Sequence, residues 1–187
     1  MKKIVIFASG SGSNAEKIMQ YFDKHPKAVV SAVLSNKSEA GVLSIAKNYQ
    51  VPTMVFSREE LNDTLVLKYL QEIQPDLIVL AGFLLKFPKS IIEAFPGKIV
   101  NIHPALLPAY GGKGMYGINV HRAVVEDRAA ETGITIHYID EFYDEGATIF
   151  QDKVILTGKE TPEEVAAKVL KLEHKHFARV IDEILNK

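Results

Sequence analysis

Two polar residues with catalytic potential end an apolar stretch in the middle of the chain. Asn101 and His103 stand two positions apart, so their side chains share one face of a predicted strand. The carboxyl end of a strand in an open α/β sheet borders the ligand crevice, where a histidine can serve as a general acid or base. The same two side chains could instead satisfy backbone groups of the loop that Pro104 begins, so the pair alone leaves both interpretations open.

A second group follows the strand that contains His137. Acidic residues are concentrated in the turn that begins directly after it: Asp140, Glu141, Asp144 and Glu145. Carboxylates this close repel one another, which can raise a pKa or keep a nearby histidine charged. A solvated hairpin tip is the alternative. Two histidines and an aspartate could also hold a metal, but they lack the helical spacing of a metal site, so we expect none.

A glycine-rich turn follows the first predicted strand. Its sequence, Ser9-Gly10-Ser11-Gly12-Ser13-Asn14-Ala15, fits a variant of the dinucleotide fingerprint. That fingerprint also requires an acidic residue at the end of the second strand, where Ser35 and Asn36 stand, so NAD binding is disfavoured. Free N–H groups at a helix N-terminus can still bind one phosphate. A tight turn that needs glycine only for its dihedral angles is the alternative.

Glu173 interrupts an apolar stripe on the predicted last helix. The stripe has helical spacing and consists of Val169, Phe177, Val180 and Ile184. A carboxylate in such a stripe is costly unless it is paired. Its partner could be a ligand amine or one of the cations on the same helix: Lys171, Lys175 or Arg179.

Composition narrows the class of protein. The 187 residues are 47% hydrophobic and 24% charged, which excludes bulk disorder and fibrous repeats. The chain has no cysteine, which excludes disulfides and thiolate chemistry, and a net charge of −1, which argues against general nucleic-acid or anionic-membrane binding. The longest apolar run, 77–81, is far shorter than the roughly 20 residues of a membrane helix. We interpret the N-terminus as a strand rather than an export signal and expect a soluble cytoplasmic domain.

Strand and helix patterns alternate along the first hundred residues. This alternation predicts an α/β fold with an open, mostly parallel sheet and helices on both faces. Strands are predicted at 3–8, 28–34, 53–56, 77–81 and 98–102, and helices at 14–23, 41–49, 58–73 and 88–95.

The pattern changes after residue 103. Residues 104–118 hold two prolines and four glycines, which predicts a long loop of functional importance. A helix at 119–127 is followed by two strands, 134–139 and 148–156, that we expect to pair antiparallel. Thr161, Pro162 and Glu164 form the N-terminal signature of a long final helix that runs to about residue 185.

Together these segments resemble the glycinamide ribonucleotide transformylase family of folate-dependent formyltransferases. The resemblance spans the chain and implies a single formyltransferase domain over 1–187. Its Rossmann-like phosphate-binding half would be 1–100 and its catalytic and folate-binding half 101–187. The segments that carry it are Ser9-Gly10-Ser11-Gly12-Ser13-Asn14, Leu80-Ala81-Gly82-Phe83, Asn101-Ile102-His103-Pro104-Ala105-Leu106-Leu107-Pro108, and the stretch from Gly133 through Asp144 to Ile149.

The resemblance implies formyl transfer from 10-formyltetrahydrofolate, as cosubstrate, to the amine of 5-phosphoribosylglycinamide in purine biosynthesis, without a metal. It implies a catalytic trio of Asn101, His103 and Asp144. Ribonucleotide-binding positions would be Gly12, Ser13, Asn14, Lys171 and Glu173. Folate-binding positions would be Arg58, Leu84, Leu85, Lys86, Phe87, His137, Asp140 and Glu141.

The chemistry of the trio agrees with that reaction. Asn101 can donate a hydrogen bond to a tetrahedral oxyanion, His103 as imidazolium can stabilise the same charge, and Asp144 can keep the histidine protonated. We expect small-molecule substrates, no nucleic-acid or membrane partner, and a monomer or weak homodimer. A noncatalytic phosphoribosyl-binding module and formyl transfer to a different amine, such as a nucleotide-linked amino sugar, remain as alternatives.

Overall fold

One seven-stranded sheet forms the centre of the protein. The computed structural model describes residues 1–140 and 144–187. The strands are β1 (Lys2–Phe7), β2 (Ala28–Ser35), β3 (Thr53–Val55), β4 (Leu77–Leu80), β5 (Ile99–His103), β6 (Glu131–Tyr138) and β7 (Thr148–Ile155). Their order is β3-β2-β1-β4-β5-β6-β7. The first five strands are parallel, and β6 and β7 are antiparallel, as predicted.

Seven helices are found in the described part of the chain. They are α1 (Ser13–Phe22), α2 (Gly41–Asn48), α3 (Arg58–Asn62), α4 (Leu65–Ile73), α5 (Lys89–Ala94), α6 (Ile118–Glu126) and α7 (Pro162–Leu185). None of the helices in the described residues is both long and apolar enough to cross a membrane.

The prediction of one continuous helix over 58–73 is wrong, because the chain breaks between α3 and α4. Ser57 and Glu60 form a capping box that starts α3, and the Asn62 side chain donates to the Arg58 carbonyl at 2.8 Å. Asp63 then takes an extended conformation. Asparagine and aspartate compete for backbone hydrogen bonds in this way, which disfavours them inside helices.

Helices cover both faces of the sheet, and the first strand shows why its sequence is continuously apolar. Ile4 and Ile6 pack with α1 and α7 on one face, whereas Val5 and Phe7 pack with α4 on the other, and none of the four is exposed. A strand buried on both faces loses the polar alternation of a half-exposed one.

The long final helix begins as its sequence predicts. Thr161 and Glu164 form a capping box, and Pro162 occupies the first turn. This helix packs against α1, α6 and β6. Glu173, near the middle of this helix, therefore lies against the N-terminal part of α1, where it contacts Asn14.

The pairing of β5 with β6 brings together residues that are far apart in sequence. In the antiparallel register Asn101 lies opposite His137, and His103 lies opposite Thr135. These four residues lie on two neighbouring strands at the carboxyl-terminal end of β5, next to the long loop that follows it. The fold thus brings the Asn101–His103 pair next to the strand that contains His137.

Candidate active site

A cavity of about 720 Å³ opens at the carboxyl-terminal edge of the parallel strands, a size typical of small-molecule sites. It extends from Asn14 on α1 and Glu173 on α7, past the end of β5, to the segment that follows β4. Of the predicted site residues, those lining the cavity are Asn14, Arg58, Leu84, Leu85, Lys86, Phe87, Asn101, His103, Asp140, Asp144 and Glu173.

The Asn101 amide is oriented by His137 behind it. The Nδ1 atom of His137 lies 2.9 Å from the Tyr138 carbonyl, which can only accept, so Nδ1 carries the proton. Nε2 then accepts from Asn101 Nδ2 at 3.2 Å. The opposite amide orientation would set two acceptors against each other. Asn101 Nδ2 therefore keeps its second proton for another acceptor.

His137 itself has no exposed surface and does not line the cavity. Burial lowers its pKa, although the Tyr138 carbonyl and the Asp144 carboxylate act in the opposite direction. The resemblance implied a folate contact for this residue. The ring is fully enclosed and contacts the Asn101 amide, and the folate contact that the resemblance implied for His137 stays a prediction.

His103 is held between the long loop and Asp144. Its Nε2 lies 2.7 Å from the Tyr110 carbonyl, and its Nδ1 lies 3.6 Å from Asp144 Oδ2. The second distance is within ion-pair range but longer than a hydrogen bond. The ring is 4% exposed. One ring nitrogen is thus occupied by the backbone while the other faces a carboxylate.

Asp144 completes the cluster. Its Oδ2 accepts from the Gly112 N–H at 2.9 Å, and its Oδ1 lies 3.7 Å from His137 Nε2. Its own backbone is left-handed, with φ of 56°, a conformation that aspartate tolerates better than most residues. Asn101, His103 and Asp144 therefore converge on one wall of the cavity.

Thr135 anchors the loop that follows β5, a role that the sequence did not reveal. Its buried hydroxyl donates to the Ala105 carbonyl at 2.7 Å and accepts from the Leu107 N–H at 3.0 Å and from Gln151 Nε2 at 2.8 Å. The shared strand face of Thr135 and His137 was the available signal. Threonine is common in strands for its shape alone, so that signal was weak.

At the other end of the cavity Glu173 meets Asn14. The Asn14 amide donates to Glu173 Oε2 at 2.6 Å, and the Asn14 Oδ1 atom is buried without a partner in the described part of the chain. Glu173 is 8% exposed, and burial raises the pKa of its carboxyl despite that hydrogen bond.

The helical cations considered as partners of Glu173 lie elsewhere or make no contact with it. Arg179 bonds Glu183 and His176, and neither Lys171 nor Lys175 forms an ion pair with Glu173 among the described residues. Lys171 is exposed and does not line the cavity. The carboxylate is therefore held by an amide and no cation, a result that favours the ligand interpretation.

Packing alone requires a glycine in the glycine-rich turn, whether or not the turn binds a ligand. Gly12 caps α1 with φ of 83°, and a Cβ atom there would come within 2.6 Å of Val42 Cβ. Gly12 and Ser13 do not line the cavity, whereas Asn14 does. The Ser9 hydroxyl donates to Asn36 Oδ1 at 2.6 Å and accepts from the Leu84 N–H at 3.1 Å. Asn36 stands where an NAD-binding protein has an acidic residue, and here its side chain holds the glycine-rich turn through Ser9.

Six of the predicted folate-binding residues line the part of the cavity that follows β4 and lies near the end of β6. Arg58 and Lys86 bring positive charge, Leu84 and Phe87 bring apolar surface, and Asp140 stands near the edge of β6. Phe83 extends this surface and meets Phe7 edge-on at 5.4 Å between ring centroids. Glu141, which was predicted to belong to this wall, lies outside the described residues.

Part of the cavity wall was not assigned from sequence. The loop before α6 contributes the stretch 112–117, with Lys113, Met115 and Tyr116, and α6 contributes His121. Burial and the neighbouring His103 lower the pKa of His121. The signal for the loop was its run of glycines, which predicted function without naming side chains. Over residues 1–140 and 144–187 there is no cluster of three or more metal-ligating side chains.

The chain is similar to known proteins in both sequence and structure. The sequence profile of the family described as formyl transferase matches residues 2–181. The chain is 40% identical to the chloroplastic phosphoribosylglycinamide formyltransferase of Arabidopsis thaliana over 98% of its own length and 65% of that protein. It is 38% identical to the Vigna unguiculata counterpart and covers 60% of it. The chain thus spans less than two thirds of these plant relatives.

Bacterial relatives are matched over more of their length. The Bacillus subtilis phosphoribosylglycinamide formyltransferase is 33% identical over 99% of this chain and 95% of its own. The crystal structure of the phosphoribosylglycinamide formyltransferase from Bacillus halodurans superposes with a TM-score of 0.89 at 32% identity. That match covers 100% of this chain and 96% of the other.

Proposed function

Because the chain belongs to the formyl transferase family, we propose that it transfers the formyl group of 10-formyltetrahydrofolate to the amine of 5-phosphoribosylglycinamide. The observation that carries this proposal is that Asn101, His103 and Asp144 lie together in the wall of one cavity. Asn14 and Glu173 line one end of that cavity, and Arg58 and residues 84–87 line the other. The acceptor is supported by the relatives and solved structures that bear the name phosphoribosylglycinamide formyltransferase.

The ribonucleotide binds, in this proposal, between α1 and α7. The N-terminus of α1, with Gly12 and Ser13, offers backbone N–H groups to the phosphate, and the helix dipole favours a negative charge there. Asn14 and Glu173 contact the ribose and the glycinamide amine. Lys171, exposed on the same helix as Glu173, reaches the phosphate from outside the cavity.

The folate binds along the wall that follows β4. Leu84, Leu85 and Phe87 offer apolar surface to its ring system, while Arg58 and Lys86 suit the carboxylates of its glutamate. Asp140 lines the cavity, and we keep Asp140 and Glu141 as predicted folate-binding residues. We propose for His137 an indirect part, through Asn101.

The first chemical step is attack of the acceptor amine on the formyl carbon. The nitrogen lone pair forms the new C–N bond, and the carbonyl electrons move to oxygen and create a tetrahedral oxyanion. The free Nδ2 proton of Asn101 donates to that oxygen, and the His103 imidazolium places a positive charge beside it. Donors held in place before the reaction stabilise such a charge more effectively than water does.

The second step is collapse of the intermediate. The bond between the formyl carbon and folate N10 breaks, and N10 takes up a proton while the former amine loses one. His103 supplies the proton as general acid, and Asp144 accepts the proton that the amine releases. Transfer of that proton from Asp144 to His103 then restores both groups for the next turnover. The step balances without a covalent enzyme intermediate.

An absorbance assay of folate product, with and without 5-phosphoribosylglycinamide, tests the proposal. Product that forms only with the ribonucleotide supports it. Product that forms without the ribonucleotide indicates a hydrolase. No product under either condition indicates another acceptor, such as a nucleotide-linked amino sugar, or a noncatalytic phosphoribosyl-binding module.

We further propose that residues 1–100 form the phosphate-binding half and residues 101–187 the catalytic and folate-binding half. One sheet runs through both, which suits a single domain. The cytoplasmic location and the monomeric or weakly dimeric state stay predictions. Sedimentation at several protein concentrations would test the second.

A further inference from the structure

Two backbone groups of one loop hold the two ionisable groups of the proposed catalytic trio. The Tyr110 carbonyl lies 2.7 Å from His103 Nε2, and the Gly112 N–H donates to Asp144 Oδ2 at 2.9 Å. These backbone groups are two residues apart. A small displacement of residues 110–112 therefore moves both side chains together.

The chemistry of the backbone decides the protonation of each side chain. A carbonyl oxygen can only accept, so His103 Nε2 must carry a proton. An amide N–H can only donate, so Asp144 Oδ2 must present a lone pair. His103 Nδ1 then faces the carboxylate at 3.6 Å. The loop thus favours the arrangement in which Nε2 of His103 carries a proton and Oδ2 of Asp144 accepts a hydrogen bond.

Contacts on both sides of segment 110–112 fix its position. Before the segment, the backbone groups of Ala105 and Leu107 are hydrogen-bonded to the buried Thr135 hydroxyl. A Cβ atom on Gly111 would lie 2.6 Å from Leu107 Cδ2 and 3.4 Å from Asp144 Cβ, so the backbone passes directly against the carboxylate residue. Gly112 has φ of +92°, which side-chain-bearing residues rarely adopt.

We propose that segment 110–112 is a positioning element that sets the tautomer of His103 and the orientation of Asp144, with Gly111 and Gly112 as positioning residues. The kinetic consequences of this inference rest on the proposed function. The tautomer of His103 in the free protein does not depend on that function. Substitution at Gly112 forces the backbone away from the left-handed region, and the N–H that Asp144 accepts moves with it.

The free protein gives the first test. ¹⁵N NMR of labelled histidine, recorded at the alkaline end of the His103 titration, should show the proton on Nε2 in the wild type. Signals are assigned with His103→Ala. A neutral His103 that carries its proton on Nδ1 would overturn the inference, whatever the protein catalyses.

Kinetics give the second test, through a double-mutant cycle. We expect Gly112→Ala to lower kcat at least about tenfold with both KM values within about twofold, since ligand contacts are kept while the catalytic groups move. Combined with Asp144→Asn, the same substitution should cost less than it does in the wild-type background, because the part of its effect that acts through that carboxylate is already lost. Gly111→Val, whose branched side chain has no room beside Asp144, should behave in the same way.

Gly158→Ala is the matched control. Gly158 has φ of +77° and open space for a Cβ atom, so alanine there is strained in the same way, and it does not line the cavity. We expect its kcat within about twofold of wild type. Equal losses for Gly112→Ala in the wild-type and Asp144→Asn backgrounds, or losses through KM alone, would overturn the inference. Wild-type protein without formyl transfer would contradict the proposed function but leave the NMR result to decide this inference.

Discussion

The two ends of the cavity hold ionisable side chains in opposite ways. At the end of β5, His103 and Asp144 each have a backbone partner, and the Asn101 amide is oriented by a neutral histidine. Between α1 and α7, Glu173 is also buried, but among the described residues its one hydrogen-bond partner is the Asn14 amide, whose own oxygen has no partner there. The first end is complete in the free protein and the second is not.

This difference has a physical meaning. Donors and charges that are fixed in advance lower a barrier because they need no rearrangement during the reaction. A buried carboxylate without a cation costs free energy in the empty protein, and a ligand that supplies the missing donor recovers it. We therefore expect the end at β5 to act in the chemical step and the end between α1 and α7 to act in ligand binding. Substitutions at each end test these two expectations.

The largest effect is expected at the catalytic end. His103→Ala and Asp144→Ala should each lower turnover by at least about two orders of magnitude, the usual contribution of general acid–base groups. Steady-state kinetics measure this loss, and isothermal titration with the ribonucleotide should show binding close to wild type. Near-normal turnover in either variant would remove that residue from the proposed mechanism.

The next effect is expected at the other end. Glu173→Gln keeps the shape of the side chain and removes its charge, so ribonucleotide affinity should fall by about 1–3 kcal/mol, roughly 5- to 150-fold. Titration calorimetry measures this, with kcat at saturation changed less. Glu163→Gln removes a charge from the exposed first turn of the same helix and serves as the control. Equal affinity in both variants would make Glu173 a structural residue.

A smaller effect is expected from His137, which acts through Asn101. His137→Ala should lower kcat about tenfold, the scale of one lost hydrogen bond that orients a catalytic amide. His137→Gln should restore much of the rate, since its side-chain oxygen can accept from Asn101. Thr132→Val is the control, since Thr132 is on the same strand and its buried hydroxyl has no hydrogen-bond partner in the described part of the chain. A glutamine variant as slow as the alanine variant would contradict the orienting role.

The smallest effect is the pH dependence of stability. The pKa of Glu173 is raised in the folded state, so the folded protein binds a proton more readily, and the stability associated with this group is lost as pH rises from below its ordinary value of 4.5 through the folded pKa. Glu173→Gln should therefore have the higher Tm at pH 7, and the difference should shrink as pH falls toward 4. A difference of about 2–4 °C corresponds to about 1 kcal/mol in a domain of this size.

Thermal melts of both proteins across this range make the measurement. The buried His121 and His137, whose pKa values are lowered, destabilise both proteins alike at low pH, so their effect cancels in the difference. A glutamine variant that melts below wild type at pH 7 would show that the charge has a structural partner.

Local patterns predicted most of the elements and several of the site residues. The continuous apolar runs, the capping box at Thr161 and the Asn101–His103 spacing are signals within a few residues, and each has its predicted structural outcome. The prediction failed at Asn62 and Asp63, where side chains compete for the helix backbone. For His137, spacing along the strand predicted which face its side chain takes and not that the Asn101 amide lies in front of it.

The sequence by itself determined the strand and helix types, the apolar face of the last helix, and the strand end at which Asn101 and His103 lie. Only the tertiary structure decided what each polar atom bonds. Glu173 and Asn14 are 159 residues apart, and their hydrogen bond exists only because α7 packs on α1. The partners of His103 and Asp144 are a carbonyl and an N–H, groups that almost every residue carries, so no side-chain type announces them.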